Sequence, residues 1–209
     1  LCVIIPTCNR VRELRRTLAG LAEQRVKPAR VIVIDDGSPD AVLREMEAFC
    51  RTLALPVSLL NNAPKKGPAA ARNAGISQAQ EAWVLFINDD TRPVSPTFIE
   101  QHLRFAERHP DSMALGKLAW APETPNPMLF GRWMKRATFD VGYDGLQSGD
   151  VLPFSKFCTA NVLVPRDFLR ECLFDEGFPF AAYEDIELGY RLARQGRQLR
   201  YHPDAGVYH

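Results

Sequence analysis

The chain has 209 residues, of which 46% are hydrophobic and 24% charged; these values suit one globular domain with a sizeable core and exclude disordered and fibrous classes. Lys and Arg total 26 against 25 Asp and Glu, a net charge of +1, so no broad positive field exists to hold a polyphosphate backbone, and nucleic acid is not an expected partner. The five cysteines are odd in number and form no C-x-x-C pair, which points to reduced thiols, and no apolar run approaches the roughly 18 residues that span a bilayer.

Leu1 to Ile5 is an apolar run closed by Pro6, and Leu14, Leu18 and Leu21 follow at helical spacing, so the opening reads strand, turn, helix. Arg30 to Asp35 is a second strand, ending in the turn Asp36-Gly37-Ser38-Pro39. Leu43, Met46, Cys50 and Leu53 mark the next helix face, Val57 to Leu60 a third strand, Pro68 to Ala82 an Ala-rich helix, and Trp83 to Ile87 a fourth strand. This alternation predicts a parallel sheet covered on both faces, with ligands at the carboxyl ends of its strands. Pro122 to Pro127 reads as a loop. Met128 to Arg136 mixes apolar and basic residues, and Phe139 to Gly149 is rich in Gly and Asp, together a lid or acceptor-side excursion. Phe157 to Val164 is a predicted strand, Arg166 to Cys172 a short helix, and Glu184 to Gln195 a longer one closed by Gly196.

The polar clusters fall at strand ends, and each has two readings. Asn88-Asp89-Asp90 offers hard oxygen ligands for Mg²⁺ or Mn²⁺ on a diphosphate, or simply makes a turn. Asp35 and Asp36 can accept hydrogen bonds from a base and ribose, or belong to an ordinary Asp-Gly turn. Glu184 and Asp185 stand in the first turn of a helix, where the dipole favours ionised carboxylates; either one takes a proton as general base, or both only cap the helix. Arg72 and Asn73 can meet a phosphate or a base edge, or lie on a solvated face. His209 is a metal ligand or an unremarked terminal histidine.

Taken in order, Ile5 to Arg10, Val33 to Ser38, Ala71 to Gly75, Phe86 to Asp90 and Glu184 to Leu192 resemble a family 2 glycosyltransferase over essentially the whole chain. The resemblance implies an inverting enzyme of α/β class with the GT-A fold. It would be a single domain over 1–209, with a Rossmann-like nucleotide-binding half (1–92) and an acceptor-binding half (93–209) on a mixed central sheet. It places Pro6, Thr7, Asn9, Arg10, Asp35, Asp36, Arg72, Asn73, Asn88 and Asp89 around the nucleotide. Asp90, the last acid of the Asp-x-Asp signature, and His209 are its implied ligands for Mn²⁺ or Mg²⁺. Asp185 is the implied catalytic base and Glu184 its acidic neighbour, while Asn161 falls on an acceptor-side strand. Asn88 departs from the pattern, since many members carry an acid there, and the site loses one charge.

The implied donor is a nucleotide-sugar, with UDP-sugar as the expectation, and the implied acceptor a saccharide or a lipid-linked one, as in cell-surface polysaccharide biosynthesis. A cytoplasmic location is expected, with Phe130, Arg132, Trp133, Lys135 and Arg136 offering peripheral contact to the inner membrane face. The lack of an initiator Met and the stop at His209 are what a piece of a longer protein would show. Two rivals share the acidic strand ends. A sugar-nucleotide-forming nucleotidyltransferase would carry glycines that Thr7 to Arg10 lack, and a non-catalytic nucleotide-binding or receiver-like module would not need Glu184 and Asp185 in a cleft.

Overall fold

The computed structural model describes residues 1–121, 143, 145–178 and 180–209. Its first four strands are β1 (Cys2–Thr7), β2 (Arg30–Asp35), β3 (Val57–Asn61) and β4 (Trp83–Ile87), all parallel in the order β3-β2-β1-β4. Strand side chains alternate between faces, and in β1, β2 and β4 both faces are apolar and buried, while β3 at the sheet edge is only partly buried. Ile4, Ile32, Ile34 and Phe86 enter one core, and Val3, Ile5, Val31, Val33 and Leu85 the other.

Helix α1 (Val11–Ala22) buries Leu14, Leu18 and Leu21 in the second core, beside Met46 of α2 (Asp40–Cys50). Each such leucine contributes about 2 kcal/mol by leaving water. Helix α3 (Pro68–Gln78) covers the first core through Ala69, Ala71 and Ile76. It lies so close to the sheet that a Cβ on Gly75 would come within 2.9 Å of both Ile4 and Ile34. The Ala-rich composition is thus a packing requirement. The helix stops at Gln78, four residues short of the predicted Ala82, because Ala79 turns to extended backbone.

Beyond β4 the sheet is mixed, as the resemblance implied, and the parallel part read from the strand–helix alternation is its first four strands. Strand β8 (Asn161–Pro165) runs antiparallel to β4 and to β6 (Ser112–Ala119); β9 (Gln198–Tyr208) runs parallel to β6. The short strands β5 (Arg92–Pro93) and β7 (Val151–Leu152) pair antiparallel with β9. Helix α4 (Phe98–Arg108) buries Phe98, Ile99, His102, Phe105 and Ala106. Helices α5 (Arg166–Glu171) and α6 (Glu184–Arg194) follow β8, and a left-handed Gly196 ends α6 as expected. The strand predicted from Phe157 begins only at Asn161, after a 3₁₀ turn over Phe154–Lys156.

The predicted loop Pro122 to Pro127, the basic-apolar segment Met128 to Arg136 and most of Phe139 to Gly149 lie outside the described residues. Among the described residues no helix is long and apolar enough to cross a membrane. All five cysteines are free thiols.

Candidate active site

The strand directions decide which residues meet. The carboxyl ends of β1, β2 and β4 share one rim, and β8, being antiparallel, begins there. Strand β9 is parallel to β6, which is antiparallel to β8, so β9 ends at that rim and delivers His209 to it. A cleft of about 530 Å³ opens at the rim, bordered by Pro6, Thr7, Arg10, Asp36, Arg72, Asn88, Asp89, Asp90, Glu184 and Asp185.

On the β1/β4 side, the Thr7 hydroxyl donates to Asp89 Oδ2 at 2.7 Å, and the Thr17 hydroxyl donates to the Asp89 carbonyl at 2.7 Å. Burial pushes the Asp89 carboxyl up to about 6, against the Thr7 hydrogen bond and the charge of Arg10. Arg10 reaches both acids, with Nη2 2.6 Å from Asp90 Oδ2 and Nε 3.4 Å from Asp89 Oδ1. Asp90 Oδ1 is buried without a hydrogen-bond partner, 3.3 Å from His209 Nε2, which is itself 3.3 Å from the Asn88 side-chain amide.

That orphaned oxygen beside an imidazole nitrogen suits a divalent cation. Among the described residues no group of three or more His, Cys, Asp or Glu side chains is arranged to hold a metal. Asp90 and His209, with the Asn88 side-chain amide beside them, suit an ion whose remaining ligands come from substrate phosphates, the usual habit of Mg²⁺.

At β2, both oxygens of Asp36 are engaged by the loop entering α3. Oδ1 accepts from Asn62 Nδ2 and the Lys66 N–H, each at 3.0 Å, and Oδ2 from the Gly67 N–H at 2.8 Å. Asp36 therefore shapes the cleft wall as well as facing it. Asp35, expected close to the nucleotide, is fully buried next to Asp36 and accepts from the Ser38 N–H and hydroxyl, so it builds the turn. Asn9 holds a left-handed backbone (φ 58°), and its N–H donates to Ser38 Oγ at 2.7 Å. Its part is to tie the β1 loop to the β2 loop.

The Asn73 amide donates to the Phe174 carbonyl and Glu176 and accepts from the Phe174 N–H, tying α3 to the segment before α6. Asn161 begins β8, and its side chain is fully buried and bonded to His102 Nε2 and to the Ala205 carbonyl.

On the far wall, α6 begins after Tyr183, whose backbone is left-handed (φ 67°). Asp185 Oδ1 accepts the Ile186 N–H at 2.8 Å and Oδ2 the Thr159 N–H at 3.4 Å. Burial first, then the Glu184 charge, push the Asp185 carboxyl above the usual carboxylate range, against these two N–H groups and Arg72. Glu184 is 4% exposed and pairs at 2.8 Å with Nη1 of Arg72, whose guanidinium lies 5.5 Å from the centre of the Phe174 ring. The sequence reading passed over Lys65, Cys158, Thr159 and the exposed Phe180 and Tyr183, all of which border the cleft. Two aromatics ahead of an acidic helix start were the available signal.

The model of glycosyl transferase family 2 matches residues 2–169. A pre-mycofactocin glycosyltransferase of Mycobacterium tuberculosis is 29% identical over 99% of the chain, which spans 42% of that protein. Among solved structures, Staphylococcus aureus TarS 1-349 in complex with UDP-GlcNAc superposes with a TM-score of 0.74 at 20% identity, over 100% of this chain and 57% of that one. The mannosyltransferase PcManGT of Pyrobaculum calidifontis, in complex with GDP-Man and Mn²⁺, gives 0.72 at 17% identity, over 100% and 56%. The likeness to both structures is one of fold, the GT-A fold.

Proposed function

The chain belongs to glycosyl transferase family 2, and from that membership we propose that it carries the catalytic unit of an inverting glycosyltransferase. The donor is a nucleotide-sugar, with a UDP-sugar as first choice, and the acceptor a hydroxyl of a free or lipid-linked saccharide. One observation carries the reading: Asp89 and Asp90 on one wall and Asp185 on the other border the same open cleft.

Thr7, Arg10 and Asp36 line the part of the cleft assigned to the nucleotide, with Asp36 holding the loop that bears Lys65. Asp90 and His209, with Asn88 beside them, would hold a divalent cation. When bound, it neutralises charge on the diphosphate. The neighbour solved with GDP-Man and Mn²⁺ supports a cation, and both neighbours, the other solved with UDP-GlcNAc, support a nucleotide-sugar donor.

Asp185 takes the proton of the acceptor hydroxyl as that oxygen bonds to the anomeric carbon. The bond from that carbon to the phosphate oxygen breaks on the opposite face, releasing the nucleoside diphosphate and inverting the centre. A carboxylate with raised proton affinity, half sheltered from water and fixed by two N–H groups, suits this task near neutral pH.

Asp185→Asn is expected to lower turnover on the order of 10³-fold, read as nucleoside diphosphate release with acceptor present, while calorimetric binding of UDP stays unchanged. Near-normal turnover would remove Asp185 from the chemistry.

A further inference from the structure

Glu184 and Arg72 both border the cleft, yet their geometry suits neither proton transfer nor free recognition of the donor. Both side chains are 5% exposed, and their contact joins α3, on the nucleotide side, to the first turn of α6 across 112 positions of sequence. Glu184 Oε1 is committed to the guanidinium, which lies against the Phe174 ring. Arg72 Nε is buried with no partner, the mark of a cation placed for its charge more than for a full set of hydrogen bonds. The residue after Glu184 is Asp185.

Resting on the assignment of Asp185 as base, we propose that Arg72 and Glu184 are positioning residues. They form a buried strut that fixes the start of α6 against the donor half and sets the charge field at the Asp185 carboxylate. Neither touches the migrating proton or the donor.

The charged and titratable groups facing Asp185 are Glu184 on its own helix, Arg72 from α3, and Cys158 from the segment before β8. Burial and Glu184 raise the proton affinity of Asp185, and Arg72 lowers it. The two ends of the strut therefore act on the base with opposite sign. Glu184→Gln leaves the Arg72 charge without its counterion, so the acidic limb of the kcat profile moves to lower pH. Arg72→Met leaves the Glu184 charge uncompensated, so the limb moves to higher pH. A part played only in packing would not give opposite shifts.

The test measures UDP release from UDP-glucose and from UDP-GlcNAc across pH, with calorimetric Kd for UDP, on the protein and on D185N, E184Q, R72M and the R72M/E184Q pair. The expected result is a fall in kcat of about tenfold or more in each single variant, the size seen for outer partners of reactive groups. The double variant should fall no further than the poorer single, since both remove one contact. The acidic limbs should separate in opposite directions, and the Kd for UDP should stay unchanged. A rise in that Kd on R72M with an unmoved limb would make Arg72 a donor contact and overturn the strut. Limbs that stay put, or shift together, overturn it as well. If D185N itself keeps turnover, the assignment of the base has failed, which is a separate outcome. E184Q preserves shape, and a circular dichroism spectrum matching wild type at the assay temperature, below the variant's melt, shows that its kinetics are read on folded protein.

Discussion

Two buried polar clusters of the molecule are built on opposite terms. Arg72 and Glu184 form a charged pair beside an open cleft. His102, Asn161 and His202 are equally buried, but they are uncharged and border no cleft among the described residues. Burial holds both imidazoles neutral, His102 at about 3 and His202 below its ordinary value.

The neutral cluster has a structural task. Between β6 and β9 the register shifts from Gly116 to Leu118. Asn161 Nδ2 donates to the Ala205 carbonyl at 2.8 Å and lies 3.5 Å from that of Lys117, so its amide serves backbone groups that the irregularity leaves unpaired. Only glycine fits at 116, where a Cβ would stand 2.1 Å from that amide nitrogen. A neutral network that pairs backbone groups stabilises a core, even with Nδ1 of His102 and of His202 buried without a hydrogen-bond partner. A buried ion pair adds little net stability over apolar packing, so its retention at a cleft points to function.

The sharpest way to break this contrast is Asn161→Leu. It strips the Ala205 carbonyl and the His102 N–H of their partner at once, and a loss on the order of 3 kcal/mol in denaturant unfolding is expected. A loss under about 1 kcal/mol would mean that the cluster is not structural.

His102 sharpens the contrast through pH. Its folded pKa lies below the unfolded value, so the unfolded chain binds the proton more readily. Stability from this group is complete above about pH 6.5 and is lost as pH falls from there toward 3. Denaturation midpoints taken from pH 7.5 down to 4.5 should fall, and His102→Gln should flatten the fall. An unchanged slope would place the acid sensitivity elsewhere.

The smallest expected effect is Asn73→Ala. It should cost about 1 kcal/mol of stability by releasing the Phe174 backbone, with UDP affinity unchanged. A weakened UDP affinity would place Asn73 at the nucleotide site.

How far the sequence carried follows the same divide. Strands β1, β2 and β4 were legible because each is an apolar run buried on both faces, and β3, an edge strand only partly buried, because turn residues bound its short apolar stretch. Strand β9 was not, since Gln198, Arg200, Pro203, Asp204 and Gly206 interrupt it and its partners lie elsewhere in the chain. Strand β6 mixes Ser, Ala and Gly with Met113, Leu115, Lys117 and Leu118 and shows no regular polar–apolar alternation. Helix α4 did carry a readable period in Phe98, Ile99, His102, Phe105 and Ala106, which went unused.

At the site, acids at strand ends were visible as motifs, but their partners were not. Nothing local says that Arg72 will meet Glu184, or that Asp35 will turn onto Ser38 while Asp36 faces the cleft. His209 reaches Asp90 only through the order of β4, β8, β6 and β9.

A crystal structure of the protein with UDP and Mn²⁺ bears most directly on the proposed transfer. The expected map shows the nucleotide between Thr7 and Asp36, the diphosphate at Asp90 and His209, and the Asp185 carboxylate across the cleft with open space for an acceptor oxygen. A nucleotide bound outside this cleft, or a diphosphate lying against Asp185 with Asp90 and His209 untouched, would contradict it.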